Sequence, residues 1–311
     1  MSLDNVLVTG GAGFIGGVLV KRLLENGVHV RVVDDFSTGS WENLPNSPAL
    51  KVFVHDVALR QGLSQFFDKV DAVVHLAAIP SVPMCEQNVQ RAFEVNVIGL
   101  ENVLETCVEK GVGKIVFTSS AAVYGDAEGV LNEDAATRPF SVYGWTKLLG
   151  EAMLRSFGEK HGVEAVALRV FNVYGKKSTS GFLGVVDQFI ADAAEGKPLH
   201  IHGDGGQVRD FIHVDDVANA ILLTLEKTLK NFEAINIGTG QPTSIKHLAE
   251  KVLTVFGRAV SAIVYEPARV GDIRYSVADI SKARQLLGFS PTTSLDTYLA
   301  SRVSAPSPSF R

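Results

Sequence analysis

The 311-residue sequence predicts a doubly wound α/β fold, a parallel sheet covered by helices on both faces, followed by a smaller α+β portion. Three observations carry this reading. Short runs rich in β-branched residues, "NVLVTG", "VHVRVVDD", "LKVFVHD", "DAVVHLAA", "GKIVFTSS" and "EAVALRVFN", read as strands buried on both faces. Between them lie segments with apolar residues at helical spacing, among them Gly13–Asn26, Val89–Lys110 and Tyr143–His161. After Tyr174 the alternation loosens, so the chain divides into residues 1–175, which hold the parallel sheet, and residues 176–311, which return to it only in part.

In the first strand-to-helix connection, Gly11, Gly13 and Gly16 satisfy G-x-G-x-x-G, and Gly10, Gly13 and Gly16 satisfy G-x-x-G-x-x-G. Glycines there permit a tight turn, close approach of backbone to a pyrophosphate and close packing of helix on strand, with the helix N-terminus facing the phosphates. This is the signature of a Rossmann fold. Asp34 ends the second strand, where a carboxylate accepts from the adenine-ribose hydroxyls and repels a 2′-phosphate, favouring NAD over NADP. The alternative is that Asp34 and Asp35 are turn residues. Asp56 follows the third strand and either reaches the adenine or caps the next helix.

The fifth strand ends in Ser119 and Ser120, at the edge where such sheets bind ligands; the same hydroxyls equally satisfy local backbone groups. The next helix opens with "SVYGWTK", so Tyr143 and Lys147 share a face at i and i+4. Lowering a phenol from pKa ~10 to ~7 takes about 4 kcal/mol, which one cation at ~4 Å supplies at an effective dielectric of ~20. With 6 Tyr and 29 Lys+Arg in the chain, such a pair also arises by chance. Beyond Tyr174 the pattern predicts the loop "GKKSTSGFLG", a helix over Val185–Glu195, a hairpin within "KPLHIHGDGGQVRDFIHVDD", and short elements up to Ala300.

A net charge of −5 argues against binding nucleic acid or a membrane surface, so an anionic ligand must be held by local groups. No apolar run reaches membrane-spanning length and the N-terminus lacks a signal-peptide pattern, so the expected location is cytoplasmic, with Cys85 and Cys107 as reduced thiols. His200 and His202 share a strand face without a third ligand, so no metal site is expected. Asp215 and Asp216 read as capping and first-turn carboxylates, and the tail "SAPSPSFR" as weakly ordered.

Taken together, "TGGAGFIG", "HLAA", "VNVIG", "SSAAVYGD", "YGWTK", "RVFNVYG", "GDGGQVRDFIHVDD" and "GDIRYSVADISKA" make the chain resemble the extended short-chain dehydrogenases/reductases of the NAD-dependent epimerase/dehydratase group, closest to UDP-hexose 4-epimerases. The resemblance implies NAD as cofactor, a UDP-sugar as substrate, and a homodimer built from the helices near Val89–Lys110 and Tyr143–His161. It implies catalysis by Ser120, Tyr143 and Lys147. It implies cofactor contacts from Gly10, Gly13, Phe14, Ile15, Gly16, Asp34, Asp35, Ser37, Thr38, Gly39, Asp56, Val57, Leu76, Ala77, Ala78, Asn96, Ser119, Tyr143 and Lys147. On the substrate side it implies Ser120, with Asn172 and Arg209 near the diphosphate, Arg269 and Asp272 on phosphates and ribose, and Ser276 beside the sugar C2 substituent. Without it, Arg209 reads as a solvated side chain, Asn172 as a loop cap, and Arg269 with Asp272 as a surface pair. Related dehydratases and decarboxylases carry an acidic residue where this chain has Ala121 and Ala122. It departs from some epimerases in having Pro80 and Ser81 after "HLAAI".

Overall fold

In the computed structural model, residues 3–175, 184–229, 231–269 and 271–303 are described. Most of the expected "GKKSTSGFLG" loop and the expected polar tail lie outside these residues. The strands β1 (Asn5–Thr9), β2 (His29–Asp34), β3 (Leu50–Val54), β4 (Ala72–His75), β5 (Lys114–Ser120) and β7 (Glu164–Val170) join a seventh, β11 (Phe232–Ile237), in one sheet of order β11-β7-β5-β4-β1-β2-β3. Every pairing in it is parallel. The chain reverses its winding between β1 and β4, where Thr9 lies opposite His75. A crevice forms outside the strand C-termini at such a reversal.

Both faces of the sheet are packed. On one face Val6, Val8, Val32, Val74 and Val116 meet Leu19 and Leu23 of α1 (Phe14–Glu25) and Val217 and Ile221 of α7 (Val214–Glu226). On the other, Leu7, Val73, Ile115 and Phe117 meet α4 (Gly99–Lys110) and α5 (Val142–His161). The stripe Leu100, Val103, Leu104 and Cys107 gives α4 its i, i+3, i+4, i+7 face. Its C-cap, Gly111, adopts the left-handed conformation that favours glycine. The expected helix Val89–Lys110 is continuous but not uniform: α3 (Val89–Phe93) passes into a π turn at Glu94–Ile98 before α4, and α2 (Val82–Gln87) precedes it. Cys85 and Cys107 are both free and buried.

The expected hairpin does not form. β9 (Leu199–His202) pairs in parallel with β13 (Ile263–Glu266), whereas β10 (Val208–His213) pairs with β8 (Asn172–Tyr174) and β14 (Tyr275–Ala278) in parallel and with β12 (Pro242–Ser244) antiparallel. Gly203 and Gly205 supply the expected turn, but long-range partners claim both strands. β6 (Val130–Leu131) completes the smaller sheet beside β14. The helices α6 (Val185–Ala194), α8 (Ile245–Val255) and α10 (Leu295–Val303) enclose its own core around Phe189, Leu248 and Leu299, while α9 (Ser281–Leu287) returns Ala283 and Leu287 to the main core. The cap of α7 is His213, while Asp215 and Asp216 are its expected first-turn carboxylates: Asp215 pairs with Arg22, and Asp216 accepts from Thr292 and Thr293.

Candidate active site

The glycine turn at the end of β1 has no room for side chains. Gly10 takes φ 68°, and a Cβ on it would lie 2.6 Å from the Ala77 nitrogen; one on Gly16 would lie 2.3 Å from the Gly10 carbonyl oxygen. Gly13 is the N-cap of α1 and offers no capping side chain. Phe14 and Ile15 begin that helix. Leu76 and Ala77 form the opposite lip, with both nitrogens donating to Thr9, and Ala78 follows them half-buried.

Asp34 is buried at the end of β2 and accepts from the backbone nitrogens of Ala12 and Phe36, each at 2.9 Å. Burial pushes its carboxyl above the usual carboxylate range, against those two hydrogen bonds. Asp35 accepts from both the nitrogen and the hydroxyl of Ser37, and the segment through Thr38 and Gly39 closes against Ala12. Asp56 accepts from the Ala58 nitrogen at 2.9 Å, and Val57 is buried beside it. These residues form a cradle shaped for a dinucleotide whose pyrophosphate lies over the glycine turn and whose adenosine lies toward Asp34 and Asp56.

Three of the expected catalytic side chains meet at the end of β5. The Ser120 hydroxyl accepts from the Ala122 nitrogen at 3.2 Å and is hydrogen-bonded to the Tyr143 phenol. Gly144 allows that meeting, because a Cβ there would lie 2.7 Å from the Ala122 carbonyl oxygen. Lys147, 3% exposed, points inward, its Nζ 2.8 Å from the Thr118 carbonyl oxygen and 5.7 Å from the Tyr143 ring centre. Burial pushes the Tyr143 phenol up to about 12, opposed by the Ser120 hydrogen bond, and pulls the Lys147 ammonium down to about 8. The expected lowering of the phenol by the adjacent lysine is not seen: burial raises it, and the opposing effect comes from the Ser120 hydrogen bond. Asn96, on the π turn, holds the neighbouring lip: it accepts from the Ile79 nitrogen and donates to the Ile79 carbonyl and the Thr146 hydroxyl.

Ser119 does not join them. Side chains alternate along β5, and its hydroxyl donates at 2.5 Å to Glu151, inside a buried network of Glu151, Arg169, Tyr124 and Asn236. The proton of the Ser119 hydroxyl is thereby committed to Glu151.

On the smaller sheet, Arg209 lies opposite Ser276 on β14, and Asn172 on β8 flanks the other side of β10 two residues along. The Arg209 guanidinium is 2.7 Å from Asp272, whose second oxygen accepts from Gln207 at 2.9 Å. Ser276 is 6% exposed, a buried small residue beside that pair. Arg269 is exposed, and its carbonyl accepts from the Asp272 nitrogen. The Asp272 partner is Arg209, not the Arg269 side chain of the simple surface reading. Sequence reasoning passed over Thr118, Gln207 and Arg91. Gln207 stands inside a quoted motif, but nothing in the spacing marks Arg91, whose partners come from two other strands.

The profile of the "NAD dependent epimerase/dehydratase family" matches residues 6–238. The chain belongs to that family. Its cofactor is NAD, and its relatives include UDP-sugar 4-epimerases. Among solved structures of this family, UDP-glucose 4-epimerase of Thermotoga maritima, bound to UDP-glucose, is 37% identical with a TM-score of 0.90, over 96% of this chain and 97% of that one. MoeE5 in complex with UDP-glucuronic acid and NAD is 35% identical with a TM-score of 0.87, over 96% and 98%. UDP-N-acetylglucosamine 4-epimerase from Methanobrevibacter ruminantium M1, in complex with UDP-N-acetylmuramic acid, is 34% identical with a TM-score of 0.90, over 98% of both chains. As a family member the protein has a glycine cradle that fits the NAD pyrophosphate. Among its described residues no group of His, Cys, Asp and Glu suits a metal ion, and no helix is long and apolar enough to cross a membrane.

Proposed function

We propose that the protein inverts C4 of a UDP-hexose through a transient 4-keto sugar. The observation that carries this reading is the contact of Ser120 with Tyr143 above Lys147 at the strand ends. The glycine turn of Gly10, Gly13 and Gly16 with Asp34 would hold NAD, which would supply a reversible hydride acceptor for sugar C4. Tyr143 accepts the 4-OH proton as that bond is oxidised and gives it back on reduction. Ser120 hydrogen-bonds the reacting oxygen and the phenol, favouring the phenolate. Lys147 supplies the local positive charge and holds the second turn of α5 to the carbonyl of Thr118. Arg209, Arg269 and Asn172 bind the diphosphate and Asp272 the ribose, so the nucleotide stays fixed while the sugar turns over between two faces.

Ala121 and Ala122 transfer no protons, which disfavours dehydration or decarboxylation at neighbouring carbons. The buried Ser276 leaves space at C2, so the substrates include UDP-GlcNAc and UDP-GalNAc beside UDP-glucose and UDP-galactose. A homodimer is supported by exposed apolar side chains on the two expected helical segments, Val89, Phe93 and Ile98 on one and Trp145 and Leu149 on the other. The free thiols of Cys85 and Cys107 suit the cytoplasm. NMR of UDP-glucose, UDP-GlcNAc and UDP-glucuronate incubated with enzyme and NAD⁺ tests the reaction: C4 epimers are expected, and loss of water or CO₂ would overturn it.

A further inference from the structure

We propose that Arg91 is a positioning residue for the adenine end of NAD, fixing the Asp56 carboxylate as the acceptor for the exocyclic amino group. The inference rests on the reading that places the dinucleotide across the ends of β2 and β3. Arg91 stands on α3, yet its guanidinium reaches across to both strand ends: Nη2 lies 2.5 Å from one Asp56 oxygen and 3.7 Å from one Asp35 oxygen. Nη1 lies 3.5 Å from Glu94 on the following turn, which completes its set of carboxylates.

Each aspartate is held twice. Asp56 accepts from the Ala58 nitrogen through its other oxygen, and Asp35 accepts from Ser37 through its other oxygen. Neither carboxylate rotates without losing either its own turn or the arginine. Because β2 and β3 pair in register up to Asp34 and Val54, the two turns lie side by side, and one cation serves both. Without Arg91 the two anions would face each other with no counter-charge and only one anchor each.

A carboxylate so fixed has unused lone pairs only for an N–H or O–H donor. It therefore distinguishes adenine, which presents an amino group at position 6, from hypoxanthine, which presents a carbonyl oxygen. Arg91 itself is one-third exposed, so its contribution lies in geometry more than in Coulomb attraction.

The test is fluorescence titration of the purified full chain with NADH and with reduced nicotinamide hypoxanthine dinucleotide. The wild type is expected to prefer NADH about tenfold, the size of one good donor–acceptor match. Arg91→Ala should weaken NADH about tenfold while leaving the hypoxanthine form within about twofold, so that discrimination collapses. UDP affinity and Tm should be unchanged. Arg91→Lys should restore part of the preference, and Arg91→Ala/Asp56→Asn should bind NADH no worse than the weaker single variant, because both act on one contact. The proposal is overturned if the wild type binds both dinucleotides alike, if Arg91→Ala keeps the wild-type preference, or if it loses NADH, its analogue and UDP together. A wild type that binds no NADH at all would instead overturn the placement of the cofactor.

Discussion

The Lys147 ammonium donates to the Thr118 carbonyl oxygen, 2.8 Å away, while its distance to the Tyr143 ring centre is 5.7 Å. The ammonium is thus held against the sheet, and burial shifts both groups, in opposite senses. The lysine prefers to be neutral and the tyrosine prefers to keep its proton. Burial therefore costs stability at that pair.

That cost has a pH signature. With Lys147 near 8 in the folded chain against about 10.5 unfolded, the unfolded state binds more protons between those values, so stability rises with pH there. Below pH 8 the cost is present in full. Lys147→Met should remove this rise, worth up to about 3 kcal/mol across the interval, as read by urea unfolding at pH 7 and pH 10. A wild type and variant with parallel pH profiles would show that the lysine is not desolvated.

Tyr143→Phe removes the proton acceptor and almost no volume. Turnover should fall about 10²- to 10⁴-fold while the affinities for NADH and UDP stay within about threefold. Steady-state kinetics beside calorimetric titration separates the two effects.

Gly16→Ala places a methyl group 2.3 Å from a backbone oxygen that cannot retreat. It should cost about 1–3 kcal/mol of stability and at least tenfold in NADH affinity. Gly13→Ala, with 3.2 Å to the same oxygen, should be milder in both readouts. Equal effects from the two would contradict the close approach at Gly16.

Glu151 and Arg169 form a buried pair in which Ser119 is the third member. Glu151→Ala leaves the guanidinium uncompensated and should destabilise the chain by about 3–5 kcal/mol. Ser119→Ala should cost about 1 kcal/mol and leave NADH affinity alone. A fall in NADH affinity would return Ser119 to the cofactor site.

Ser276→Tyr should close the site to UDP-GlcNAc while sparing UDP-glucose, because excluding one substrate needs only a clash. The ratio of kcat/KM for the two sugars is the measurement. An unchanged ratio would remove Ser276 from the sugar pocket.

The parallel sheet was legible because its strands are apolar on both faces and its first turn needs glycine for reasons of space alone. Tyr143 and Lys147 were legible as neighbours because helix geometry sets which residues share a face. Their proton affinities were not, since these depend on how much protein covers them. Ser119 and Ser120 are adjacent letters, yet the period of a strand sends one to a buried carboxylate and the other to the reacting site. The hairpin between β9 and β10 failed for a related reason: turn residues announce a reversal of direction but not which distant strand will supply the hydrogen bonds. Arg91 had no signal, because its meaning comes from two aspartates 35 and 56 residues away in sequence.

The seventh strand of the NAD sheet, β11, is drawn from Phe232–Ile237, more than fifty residues after the sixth. During synthesis β7 therefore keeps an open edge until the second half of the chain has emerged, and the α7 face that packs on α1 arrives in the same interval. A fragment ending at residue 175 would present an apolar, unpaired edge and aggregate. The two halves consequently share one sheet, which is complete only when both have been made.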